Sequence, residues 1–97
     1  MHFSLELRPL ASLEIVEAFD WYTEQKVGLG NEFLAELDVF FETILHNPFT
    51  YSYFDGTVRE GRLHRFPYKV VYEVFDRKIV IYSVFMARQN PRRKRIF

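Results

Sequence analysis

The chain has 97 residues, no cysteine, 19% aromatic residues and a formal net charge of zero. That length holds one domain around one core. It excludes a disulfide framework or a thiolate metal site, and no apolar run reaches the roughly 20 residues that cross a bilayer.

No basic region followed by an apolar run opens the chain, so a secretory signal is not expected and a cytoplasmic setting is. Zero net charge conceals a division. Residues 1–50 hold two basic and nine acidic groups, and residues 51–97 hold eleven basic and four acidic, so the halves carry −7 and +7. Such a split predicts one anionic and one cationic face.

Phe3 to Arg8 alternates apolar and polar residues and reads as a half-buried strand that Pro9 ends. Ala11, Ile15, Ala18, Phe19 and Tyr22 then form a helical stripe running to Val27. Glu14, Glu17 and Glu24 lie off the apolar stripe, and the first two suit the positive N-terminal end of the helix dipole. Trp21 and Tyr22 both read as core residues, and Gly28 as a C-terminal cap. A second helix spans about Gly30 to His46, with Phe33, Leu34, Leu37, Phe41, Ile44 and Leu45 on one face. Asn47-Pro48 stops it. The short link between the two makes an antiparallel helical hairpin.

Pro48 to Thr57 is aromatic and irregular, with Phe49, Tyr51, Tyr53 and Phe54 placed to fold over a core edge. Val58 to Phe66, Tyr68 to Phe75 and Lys78 to Met86 read as an antiparallel meander. Its last turn, Asp76-Arg77, lacks the glycine that sharpens a hairpin. Residues 87–97 form a basic tail. The expected fold is α+β, in the order β-α-α-β-β-β: one domain over residues 1–97, with an antiparallel sheet covered on one face by the helical hairpin.

Several motifs occur in a fixed order. They are Trp21-Tyr22, Gly28-Leu29-Gly30-Asn31-Glu32-Phe33-Leu34, Asn47-Pro48, Arg65-Phe66-Pro67-Tyr68, a Val-x-Tyr strand centre, and Val84-Phe85-Met86-Ala87-Arg88 with Pro91. Together they resemble the RelE/ParE toxin superfamily over nearly the whole chain. The resemblance implies the same fold and a toxin of a type II toxin–antitoxin pair. Its partner would be a cognate antitoxin that contributes an acidic, amphipathic segment. It implies no cofactor.

Arg59, Arg62, Arg65 and Lys69 fall on two neighbouring strands and Arg88 leaves the third, so together they are candidates to bind phosphate or a target. In nucleolytic relatives, basic groups on this surface hold the scissile phosphate. Lys69 matches a position those relatives fill with arginine, and Arg62 and Arg88 match others approximately. Many such relatives carry a histidine near the place of Met86 or a tyrosine in the tail. Met86 transfers no proton, and the tail has no His, Tyr, Asp or Glu. His64 reads as a turn-proximal surface residue, His46 as a helix C-terminal cap, and the histidines are too dispersed for a metal site. No catalytic residue is therefore assigned.

The resemblance favours the ParE branch, in which the toxin binds a target such as DNA gyrase. A ribosome-dependent mRNA endonuclease using Arg62, Lys69 and Arg88 is the alternative. A degenerate toxin that retains only antitoxin binding is another. Phe49, Tyr51, Tyr53 and Phe54 offer apolar anchors for a partner, and Arg92, Arg93, Lys94 and Arg95 offer cationic ones.

Four adjacent like charges repel and suit a recognition arm, whereas Ile96-Phe97 could dock on the sheet instead. Truncation after Asn90 separates the two. A recognition arm predicts weaker partner binding, by about 1 kcal/mol per charge at low salt and less at high salt, with an unchanged melting temperature. A large loss of thermal stability would make Phe97 a core residue.

Overall fold

The N-terminal alternation becomes strand β1 (Ser4–Leu7) in a computed structural model that describes residues 2–87. Arg88, Arg92–Arg95 and Phe97 lie outside the described residues. Pro9 both ends β1 and opens helix α1 (Pro9–Gln25), because the N–H that proline lacks is one the first helical turn leaves unbonded. Helix α2 (Leu29–His46) follows at once. Gly28 lies between them with φ 84, a left-handed conformation open to glycine at little cost. It precedes α2 rather than capping α1, whose C-cap is Lys26.

Strands β2 (Tyr53–Asp55), β3 (Val58–Arg62), β4 (Tyr68–Phe75) and β5 (Lys78–Met86) follow and join β1. They form a five-stranded sheet in the order β1-β5-β4-β3-β2. The turn between β4 and β5 works without glycine because Asp76 takes φ 56, which aspartate tolerates better than most residues. The α+β class and the helical hairpin are as expected. Two details differ. β1 pairs with β5 in parallel, Ser4 opposite Lys78 through Leu7 opposite Ile81, so the sheet is mixed. The segment expected to be irregular contributes the short edge strand β2.

One sheet face carries the main core. Tyr68, Val70, Tyr72, Ile79, Ile81 and Val84 meet Ala11, Ala18, Tyr22, Phe33, Leu37, Phe40 and Ile44 of the helices. Tyr22, Phe33, Phe66 and Tyr68 form an aromatic cluster with centroid separations of 4.9 to 6.1 Å. The Tyr72 hydroxyl, buried beneath α2, donates to the Pro48 carbonyl at 2.8 Å, and burial pushes its pKa up to about 12. Trp21 is not in the core. It is 52% exposed beside buried Tyr22, because adjacent helical residues point about 100° apart. The alternate residues of the sheet face the other way, where Val58, Val71 and Phe85 form a smaller cluster with Tyr82.

Glu14 departs furthest from its sequence reading. Though off the apolar stripe, it is only 8% exposed. Strand β1 covers the edge of β5 only as far as Ile81, and a register shift follows on β5 between the partners of Val71 and Tyr72. Beyond it the Ser83 hydroxyl and the Val84 N–H both donate to Glu14 Oε1, at 2.8 and 2.9 Å. The carboxylate takes over where the strand stops. Glu14→Ala strands both donors. Unfolding in urea should show a loss of about 2–6 kcal/mol, given about 1–3 kcal/mol for each of the two unmade buried bonds. Glu14→Gln keeps an acceptor oxygen and should lose less. An alanine variant as stable as the parent would remove this role.

Candidate functional site

Strand register sorts the basic residues. Arg62 and Lys69 are direct partners across β3 and β4, so both project from the face turned away from the helices. Arg59 is one residue out of phase and leaves from the other side. There its guanidinium lies over the rings of Phe49 (5.2 Å) and Tyr53 (4.0 Å) and donates to the Tyr51 carbonyl at 2.6 Å. Arg65 turns back to α2 and pairs with Glu32 at 2.7 Å, a bond that holds the Glu32 carboxyl below its usual range. Of the expected cationic set, the structure brings together Arg62 and Lys69. Arg59 and Arg65 are spent on internal contacts.

Arg62 and Lys69 line an open cleft of about 700 Å³ with Thr50, Tyr51, Ser52, Glu60 and His64. Lys69 Nζ lies 3.3 Å from Glu60 Oε1, and both side chains are more than two-thirds buried. The other oxygen of Glu60 is buried and has no hydrogen-bond partner among the described residues. Arg62 is exposed and has no ion pair among them. Glu36, on α2, holds the cleft's rim. Its carboxylate accepts the backbone N–H groups of both His64 and Arg65.

Glu60 and Glu36 were missed by sequence reasoning. Glu60 was findable, since it stands two residues before Arg62 on one strand and so shares its face. Glu36 carried no such signal, because its partners are main-chain groups 28 and 29 residues away.

Position 86 does not face this cleft. Lys69 is opposite Phe85, whereas Met86 is opposite Tyr68 and packs with the helix-side core. A base placed at position 86 would therefore point away from Arg62 and Lys69. His64 lines the cleft from an exposed turn.

The aromatic segment also divides. Tyr51 stacks on Phe40, centroids 5.0 Å apart and planes 13° from parallel. Phe49, Tyr53 and Phe54 are 58%, 62% and 44% exposed, and Phe49 and Tyr53 form a ridge with Arg59. Three of the four expected partner-binding aromatics are thus displayed, and Tyr51 anchors the segment. Gly61 makes that anchoring possible, because a Cβ there would fall 2.5 Å from the Phe40 ring.

No family model and no curated protein matches the chain. Solved structures do. A chain of the chromosomal ParDE TA system from P. aeruginosa superposes with a TM-score of 0.74 at 15% identity, over 89% of this chain and 97% of that one. The free state of an E. coli toxin RelE variant with two arginines changed to alanine gives 0.60 at 18% identity, over the whole of both chains. The chain has the RelE/ParE fold.

The Lys69–Glu60 pair determines how much free cationic charge the cleft offers. A double-mutant cycle with Lys69→Met and Glu60→Gln, read by urea unfolding, should give a coupling of about 0.5–1 kcal/mol. A coupling of zero would mean that Lys69 is free to serve a ligand.

Proposed function

We propose that this chain is the toxin of a type II toxin–antitoxin pair, ParE-like, and that it arrests growth by binding a protein target such as DNA gyrase. The observation that carries the reading is the likeness to the ParDE chain over 97% of that chain's length. The chemistry of the cleft supports binding over RNA cleavage. Lys69 already has a carboxylate partner, Arg59 and Arg65 are engaged elsewhere, and position 86 faces the core. Among the described residues, a polyanion would meet one exposed arginine and two nearby glutamates, a poor match for a transition state that gathers negative charge.

The proposed antitoxin carries an acidic, amphipathic segment that folds on binding. Phe49, Tyr53 and Phe54 supply its apolar contacts, and Arg62 a cationic one. Arg88 and Arg92–Arg95, which lie outside the described residues, are its further candidate cationic contacts. The setting is cytoplasmic.

Induced expression of the full chain, with DNA damage and transcript integrity followed in parallel, tests this. Growth should stop with a DNA-damage response and intact mRNA. Cleavage of mRNA in phase with codons would replace the reading with the endonuclease, using Arg62 and Lys69 on phosphate. Unimpaired growth together with antitoxin binding would leave a degenerate toxin.

A further inference from the structure

Helix α1 and the last stretch of β5 enclose a pocket of their own, apart from the cleft. Strand β1 covers β5 only to Ile81, where the Arg8 N–H donates to the Ile81 carbonyl at 3.0 Å. Beyond this point no strand flanks β5 on that side among the described residues. The space left is a pocket of about 220 Å³, in which Glu14, Glu17, Ala18 and Trp21 of α1 face Val84 and Met86 of β5. The four helix residues stand at i, i+3, i+4 and i+7, one stripe of α1.

Trp21 gives this pocket an aromatic wall. Its ring is half exposed and set edge-on against Tyr22, centroids 5.1 Å apart, so packing holds the indole while its surface stays accessible. Val84 and Met86 offer apolar wall to an aliphatic stem. The charged groups of the lining are two carboxylates, buried Glu14 and exposed Glu17, and no basic residue joins them among the described residues. The whole of α1 carries four acidic residues, Glu14, Glu17, Asp20 and Glu24, and no basic one. An aromatic face, an apolar channel and a carboxylate at the mouth are the three contacts that suit a guanidinium on its alkyl stem.

We propose that this pocket receives an arginine side chain from a basic segment of a partner protein. The guanidinium stacks on Trp21 and forks onto the Glu17 carboxylate, and its methylenes run past Met86. Glu14 adds negative charge from beneath while it keeps its bonds to Ser83 and Val84. Charge selects the partner. The carboxylates of α1 repel nucleic acid and an acidic antitoxin alike, so the protein that seats here is neither. The aromatic ridge and Arg62 belong to β2 and β3, at the other end of the strand order from β1 and β5, so both surfaces can be engaged at once. The inference rests on the reading above only for the acidic character of the antitoxin. Growth arrest without binding in the test below would fail this inference alone, and binding without growth arrest would fail that reading alone.

Trp21 is the one tryptophan of the chain, so intrinsic tryptophan fluorescence reads the pocket directly. The test titrates the full chain with an end-capped pentapeptide that carries arginine at its centre between glycines and alanines. The same peptide with citrulline, which keeps the shape and loses the charge, is the comparison, and spermidine is a third titrant. The arginine peptide should give a saturable change, and the citrulline peptide should bind at least about fivefold more weakly. Glu17→Gln should weaken binding of the arginine peptide about three- to tenfold, with an unchanged unfolding midpoint. Glu24→Gln, on the same helix but outside the pocket, should change it by less than about twofold. No saturable change, equal affinity for the citrulline peptide, or a Glu17→Gln variant that binds as the parent does would overturn the proposal. So would tighter binding of spermidine, which would make this a site for a free polyamine. Higher peptide affinity after truncation at Asn90 would make the chain's own tail the occupant. Peptide-free fluorescence that changes with protein concentration would make it a second copy. Either result would also overturn the proposal.

Discussion

Where β1 ends, β5 loses its neighbour, and the carboxylate of Glu14 replaces it. Ser83 is fully buried and Glu14 nearly so, so the two donors on β5 have no ready access to bulk water. Burying a carboxylate costs several kcal/mol after relaxation, which its hydrogen bonds must offset. The bonds also fix where α1 lies. A helix held at its second turn to the centre of a sheet edge can place Ala11, Ala18 and Tyr22 over that sheet in one way only. Tyr22 then meets Phe66 and Tyr68, α2 follows α1 through Gly28, and Phe33 and Phe40 reach the sheet behind it. The helical layer is positioned by a polar contact and filled in by apolar ones.

Elements governed by local periodicity were legible in the sequence. Both helices and the last two meander strands occur close to where their patterns place them, whereas β3 ends at Arg62, short of Phe66. What periodicity could not supply was the partner of each element. The parallel docking of β1 onto β5 depends on a connection that carries the chain across the sheet, which no local pattern encodes. Phe41 was assigned to the core face of α2, but Phe40 is the more deeply buried, because a helix lying across a curved sheet buries a wider arc than a strict stripe. Glu14 lay off the apolar stripe, and its reason for burial stands 69 and 70 residues away. For the site, the meander's basic residues were visible, but their sorting required strand phase. A one-residue offset sends Arg59 to the aromatic ridge and Arg62 to the cleft.

The division of charge along the chain has a structural use that composition alone disguised. Glu32 and Glu6, from the acidic half, pair with Arg65 and Lys78 from the basic half. Glu36 accepts from the backbone of the turn that carries Arg65. Each exposed pair contributes little, because water and salt screen it. Together they join segments far apart in sequence, and they consume much of the cationic surface that the sequence advertises. What remains on the described strands is local: one exposed arginine lining the cleft.

The parallel pairing of β1 has a consequence for how the protein is made. Ser4 to Leu7 leave the ribosome more than seventy residues before their partners, Lys78 to Ile81. The helical hairpin and the meander are built from near neighbours and can assemble as they emerge, while the closing of a sheet across more than seventy residues waits for nearly the whole chain. Until then Glu14 has no Ser83 or Val84 to hold, and α1 has no fixed seat. A nascent chain interrupted before β5 therefore lacks both the strand that joins β1 to the rest of the sheet and the anchor of its helical layer.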